Sequence, residues 1–217
     1  MAGRFDAFFA LEPERQRRIL DAALREFAEK GFKRASTNAI AEAAQIGKGM
    51  LFYYFGSKEE LFDFLCEYCI EFFRREYLDR FLPKGEDDGD FIRRQQRLAE
   101  LKRQAMGEIP LIFNMFESFY RPENAAHVKK YAEPLAEQRR QFISGLYEGL
   151  DLSLFREDLD PGRALRYITW LMDRYTAEIE NKAKRGDFDA VDEASLAAEW
   201  VRYDQFTEDL RKLFYHK

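Results

Sequence analysis

The sequence predicts an all-α protein, and three observations carry that prediction. Apolar residues recur at helical spacing along nearly the whole chain. Strand-like alternation is absent. Only 12 Gly and 6 Pro interrupt 217 residues that are 46% hydrophobic and 35% charged. Such a composition fits a globular chain rather than a disordered one, and the length suits one or two domains. No run of about 18 apolar residues exists, so no membrane span is predicted. The opening stretch MAGRFDAFFALEPER has a short apolar patch that soon turns charged, with no small-residue cleavage site, and reads as neither a signal nor a transit peptide. Two cysteines make no disulfide framework and favour a reducing, cytoplasmic setting.

The helices are predicted from their ends as much as from their stripes. The first opens at Pro13, a good first-turn residue flanked by Glu12 and Glu14 at the positive end of the helix dipole. It carries Ile19, Leu20, Ala23, Leu24 and Phe27 on one face and stops at Gly31. Ser36 or Thr37 caps a short helix to about Ala44, with Ile40, Ala41 and Ala44 inward. After the turn Gln45-Ile46-Gly47 comes a second short helix, Lys48 to Phe55. Ser57-Lys58-Glu59-Glu60 is a capping box that opens a long helix to about Phe81. Further helices are predicted at about 90–108, at 110–120 with Pro110 at its start, and at 123–149 with Pro134 kinking or splitting it. Asp160-Pro161 opens another, which Gly186 closes, and a last helix covers about 192–215. The charge runs at 84–90 and 182–193 read as solvated loops.

Residues 36–61, STNAIAEAAQIGKGMLFYYFGSKEEL, hold two short helices joined by a three-residue turn, which is a helix-turn-helix. In that motif the second helix enters the DNA major groove while the first crosses the backbone. Leu51 and Phe55, four apart, face the core, which leaves Lys48, Gly49, Met50, Tyr53 and Tyr54 to face outward. Lysine ammonium and tyrosine hydroxyl groups suit phosphates and base edges, and Gly49 lets the backbone come close. Thr37 and Lys58 begin helices on either side, where free amides can hold a phosphate.

Residues 17–61 resemble the DNA-binding domain of the TetR (tetracycline-repressor) family of bacterial transcriptional regulators. The resemblance rests on Ile19, Ala22, Ala23, Phe27, Gly31, Phe32, Thr37, Ile40, Ala41, Ala44, Lys48, Gly49, Leu51, Tyr53, Phe55, Lys58, Glu59 and Leu61. It implies an N-terminal three-helix DNA-binding domain over residues 1–60. A larger helical effector-binding and dimerisation domain would follow over 61–217. It also implies a homodimer on a near-palindromic DNA operator, released by a small effector, with no cofactor and no enzyme activity. On that analogy Thr37, Lys48, Tyr53 and Lys58 map to phosphate contacts, while Met50 and Tyr54 lie where base or backbone contacts are made. Three positions depart from the family pattern: Gln45 where Gly is usual, Gly47 where Ser often caps, and Phe52 where Tyr is common. These point to a somewhat different grip on DNA.

Other features have plain readings. Cys66 and Cys69 form a C-x-x-C in mid-helix without the strand context of a redox motif, and read as core with redox sensing as the alternative. His127 and His216 fall in no metal-ligand pattern. Aromatic residues at 113–120 read mainly as core. Phe113, Phe116 and Tyr120, with Phe142, Leu146, Trp170 and Tyr175 from later helices, are candidates to line an apolar effector cavity. Leu165, Ile168, Met172, Leu196, Trp200, Tyr203 and Leu210 on the last two long helices are candidates for a four-helix dimer interface. The formal charge of −5 argues against nucleic acid only at the scale of the whole chain. Residues 1–60 hold 10 basic and 9 acidic side chains, net +1, against 25 and 31, net −6, in 61–217. Within 31–58 there are Lys33, Arg34, Lys48 and Lys58 against Glu42 alone.

Overall fold

A computed structural model describes residues 3–81, 89–109, 111–185 and 193–216. Among these the regular elements are helices, with one isolated antiparallel bridge between Phe155 and Tyr215. The chain divides by compactness into two units, Met1–Arg80 with Arg103–Gln141, and Phe81–Lys102 with Phe142–Lys217.

The first unit begins with α1 (Asp6–Phe9), a single turn the sequence did not announce, since four residues carry no helical period. Helix α2 (Pro13–Arg34) starts at Pro13 as predicted. Gly31, at φ 68°, breaks its regular path, and one more turn follows before Ala35. Ser36 then caps α3 (Thr37–Ala43), its Oγ accepting the Ala39 amide at 3.3 Å. Gln45 sits in the turn at φ 55°. That left-handed conformation costs a non-glycine residue about 1 kcal/mol or more, which is why glycine is the usual choice there. Helix α4 (Lys48–Phe55) ends at Gly56, at φ 76°. Ser57 caps α5 (Lys58–Phe72) by accepting the Glu60 amide at 3.1 Å. The chain continues through a π turn, Phe73–Leu78, into α6 (Asp79–Phe81), so the predicted long helix is continuous in direction but not in winding.

Helices α7 (Phe91–Glu108) and α10 (Ala132–Tyr147) contribute residues to both units. Between them come α8 (Ile112–Ser118) and α9 (Ala125–Val128). The predicted 123–149 helix is split by a 3-10 turn, Lys129–Tyr131. Pro134 falls in the first turn of α10, where its missing N–H leaves no intrahelical bond unmade. The predicted roles of Pro110 and Gly186, and the charged loops 84–88 and 186–192, lie outside the described residues.

The core of the first unit gathers Phe8, Ile19, Leu24, Phe27, Ile40, Leu51, Phe62, Phe64 and Leu65 with Ile112 and Met115 of α8. The second unit contains α11 (Pro161–Arg185), capped by Asp160 accepting the Arg163 amide at 2.8 Å, and α12 (Glu193–Phe214). Two polar devices close it. The buried Arg94 guanidinium donates through Nη1 to the carbonyls of Gly145, Leu146 and Glu148 at 3.1, 3.1 and 2.6 Å, and so completes the end of α10. The Tyr215 hydroxyl donates to Asp90 Oδ1 at 2.9 Å and accepts the Ile92 amide at 3.3 Å, which ties the chain's last residues to the start of α7.

Candidate functional site

The exposed face of α4 is the centre of the site. Leu51, Tyr54 and Phe55, at spacings of three and four, turn into the core, and Lys48, Gly49, Met50 and Tyr53 are left outside. Tyr53 is 69% exposed while Tyr54 is 4% exposed. The expectation that Tyr54 faces outward with Tyr53 is therefore corrected: it lies on the same helix face as Leu51 and belongs to the core. Nothing lies within 4 Å of a Cβ built on Gly49, so the fold itself does not require glycine there.

The flanks of α4 are held by backbone geometry and by one buried carboxylate. The Met50 amide donates to the Gly47 carbonyl at 2.9 Å, and the Ile46 amide to Ala41 at 2.9 Å. Glu26, buried on α2, accepts the Ser36 amide at 2.8 Å and the Lys30 ammonium at 2.8 Å. It fixes the α2–α3 corner, a role that nothing in its local sequence signals. Thr37 is half-buried at the first position of α3, and Asn38 beside it is exposed.

Lys58 is not a free lysine. Its Nζ lies 5.0 Å above the Phe32 ring and donates to the Lys33 carbonyl at 3.3 Å. Partial burial pulls its pKa below the usual lysine value, against a smaller opposing pull from Glu26. Through that bond the exposed Lys33 and Arg34, which the sequence marked only as charge, stand beside the start of α5.

The proposed effector residues fall into two groups. On α8, Phe116 stacks on Phe73 at 4.2 Å and Phe113 meets the same ring edge-on at 5.3 Å, while Tyr120, just past the helix, lies exposed 6.0 Å from Phe116. Phe73 opens the π turn, and was not singled out in the sequence. In the second unit Phe142 lies 5.6 Å from Phe81, Leu146 is buried, and Tyr175 stacks on Phe206 at 4.5 Å. Trp170 is 60% exposed, beside Tyr167. Buried polar atoms without a hydrogen-bond partner include Gln138 Oε1 in the first unit, whose Nε2 donates to the Ile70 carbonyl at 2.8 Å, and the Tyr175 hydroxyl in the second.

The proposed dimer residues divide as well. Ile168, Met172 and Leu210 are buried within the single chain and so cannot offer a face to a partner. Leu165, Leu196, Trp200 and Tyr203 are half-buried, with the Tyr203 hydroxyl donating to the Gln95 carbonyl at 3.2 Å. The apolar side chains left outside are Tyr167, Trp170 and Leu171 on α11, and Val201 and Leu213 on α12. On α11 the strongest stripe packs inward and a second, weaker one faces out, whereas Val201 and Leu213, twelve residues apart on α12, are isolated exposures.

Cys66 and Cys69 are both buried, and burial pushes both thiols well above their ordinary pKa. Neither is a reactive thiolate, so the reading as core holds at these positions. Among the described residues no helix is long and apolar enough to cross a membrane.

Comparison with known proteins bears on the same region. Residues 19–64 match the family of bacterial regulatory proteins described as the tetR family. Over 169 residues the chain is 27% identical to the HTH-type transcriptional repressor KstR2 of Mycobacterium tuberculosis, covering 74% of this chain and 80% of that one. A 50-residue stretch is 40% identical to the HTH-type transcriptional regulator YhgD of Bacillus subtilis, spanning 23% of this chain and only 26% of that relative. The solved structure of KstR2 aligns with a TM-score of 0.60 at 20% identity, covering 95% and 97% of the two chains. A TetR family regulator from Chloroflexus aurantiacus aligns with a TM-score of 0.57 at 19% identity over 98% of each chain. These two alignments bear on the fold, and the sequence relatives are regulators of transcription rather than enzymes.

Proposed function

We propose that this chain, a transcriptional regulator of the TetR family, is a cytoplasmic repressor that binds near-palindromic DNA as a homodimer and is released by a small, largely apolar effector. The observation that carries the DNA reading is the two-sided character of α4: a face of Leu51, Tyr54 and Phe55 locked in the core, and opposite it Lys48, Gly49, Met50 and Tyr53 free to meet a groove. Lys48 and Tyr53 would position the helix on phosphates. Met50 offers an apolar contact of the kind a thymine methyl accepts. Thr37 and the Lys33–Lys58 pair would hold the backbone on either side, with Tyr54 acting from beneath as packing.

Dimer formation is supported by Tyr167, Trp170, Leu171, Val201 and Leu213, large apolar side chains left exposed on two long helices. An apolar effector is supported by the half-buried rings of Phe73, Phe113 and Phe116. Gln138 Oε1 is a buried acceptor that a donor on the ligand would satisfy. In this reading residues 1–60 read DNA and 61–217 bind effector and partner. Effector binding favours a conformation in which the two recognition helices no longer match half-sites about 34–36 Å apart.

The test is selection from a randomised duplex pool by the full-length chain, followed by footprinting. Two symmetric protected half-sites are expected. A chain that enriches no duplex overturns the reading.

A further inference from the structure

We propose that the N-terminal segment from Arg4 to Phe9 is a positioning element for DNA reading: it clamps the C-terminal end of α4 onto α5 and so sets the angle at which Lys48, Met50 and Tyr53 are presented. The proposal rests on the DNA-reading role given to α4 above.

Helix α4 has eight residues, too few to hold its own direction, so its orientation comes from what it packs against. Its N-terminal end is tied to α3 through the Ile46–Ala41 bond of the turn. Its C-terminal end is gripped from the arm. Phe8 is 0% exposed, and Phe5 and Phe55 are nearly as buried. Phe5, Phe8, Phe55 and Phe64 form one cluster, two rings from the arm, one from α4 and one from α5. Phe5 lies 6.0 Å from Phe55 and 4.8 Å from Phe64, while Phe8 lies 5.1 and 5.3 Å from the same two rings. Phe55 and Phe64 are themselves 5.1 Å apart. Both arm rings meet Phe64 edge-on, an arrangement that resists rotation where a greasy contact alone would slide.

A second grip closes on the turn after α4. Gly56 leaves the helix at φ 76°, and the Glu60 side chain fills the space where a Cβ would stand. Arg4 Nη2 donates to Glu60 Oε1 at 2.8 Å, and this bond, ahead of contributions from Ser57, holds the Glu60 carboxyl below its usual pKa. Arg4 is thus engaged by its own chain, in an exposed ion pair, and the arm acts on DNA through Phe55 and Gly56.

The experiment uses the full-length chain as wild type, Phe8→Ala and Phe8→Leu. Two readouts are taken: amide hydrogen exchange across 48–55 in the free protein, and affinity for a duplex enriched by the wild type against a scrambled duplex. For Phe8→Ala, exchange in α4 is expected to quicken about tenfold while Ile112–Ser118 keeps its protection. Affinity for the enriched duplex should fall about tenfold with binding to the scrambled duplex unchanged. Phe8→Leu, close in volume but without a ring, should recover only part of the loss. A purely structural role would weaken both duplexes equally, and that result overturns the proposal, as does unchanged exchange in α4. Should Phe8→Ala fail to fold, Phe8→Leu, Phe55→Leu and their combination form a cycle in enriched-duplex affinity. Non-additive losses support the clamp, and additive ones overturn it. A wild type that enriches no duplex overturns the DNA reading itself. Unchanged exchange with an enriched duplex in hand overturns only the arm's part in it.

Discussion

The side chain of Asn124 completes helix α2: its Oδ1 accepts the Phe32 amide at 2.9 Å, at the point where Gly31 leaves the helix and Phe32 loses its intrahelical acceptor. The same carboxamide donates through Nδ2 to the Ser118 carbonyl at 2.9 Å, so one fully buried residue ties the end of α8 to the end of α2. Arg121 adds a bond from Nη1 to the Ala28 carbonyl at 2.6 Å. The His127 ring lies 3.7 Å from the Phe32 ring, and Lys58 sits above that ring as well. Contacts within one compact unit thus connect α8, which carries Phe113 and Phe116, to Phe32 and Lys58.

Asn124→Ala strands the partly buried Phe32 amide and is expected to cost about 1–2 kcal/mol in urea unfolding. The Ser118 carbonyl keeps the Arg121 amide at 3.2 Å and suffers less. Unchanged stability would mean that water or a backbone shift replaces the bond.

Lys48→Ala and Tyr53→Phe alter exposed side chains, and the second keeps the ring that meets Tyr54 at 5.5 Å, so the fold should persist. Lys48→Ala is expected to weaken DNA uniformly across sequences and to lower the salt slope by about 1. Tyr53→Phe should cost about 1 kcal/mol of affinity. Titration of each variant against salt checks both, and wild-type affinity in both would remove them from the contact set.

Trp170→Asp and Ile168→Asp lie two residues apart on α11 and should differ in kind. Trp170 is already exposed, so its replacement should leave the helical circular dichroism signal intact and shift the sedimenting species toward monomer. Ile168 is fully buried, and a carboxylate there should destabilise the chain by more than about 3 kcal/mol. A Trp170→Asp chain with unaltered mass in solution would count against this face as the interface.

Alkaline pH should destabilise the protein. Burial raises the thiols of Cys66 and Cys69 and the phenols of Tyr203 and Tyr215 above their ordinary values of 9.0 and 10.0. The folded chain then keeps protons that the unfolded chain releases. Stability is therefore full below about pH 9 and falls as pH rises beyond it. Urea midpoints at pH 7 and pH 10 check the sign, and Cys66→Ala with Cys69→Ala should flatten part of the slope.

The features legible in the sequence are those whose cause is local. Ser36, Ser57 and Asp160 mark helix starts because a cap acts on amides within three residues of itself, and Pro13 does so because its fixed φ suits a first turn; all four stand where a helix begins. The ordered pattern from Ile19 to Leu61 determined the helical class, the helix-turn-helix and the outward positions Lys48, Gly49, Met50 and Tyr53. Tertiary structure decided what depends on distant partners. It put Tyr54 inside because α4 buries positions three and four apart, and it sent Trp170 out because the Ile168–Met172 stripe had already taken the inward face of α11. It seated the single turn of residues 6–9 by packing Phe5 and Phe8 against Phe55 and Phe64. It gave Asn124, 92 residues away, to the amide of Phe32. A helix with two apolar faces carries no local mark of which one the rest of the chain will cover, and that choice is made only when the elements pack.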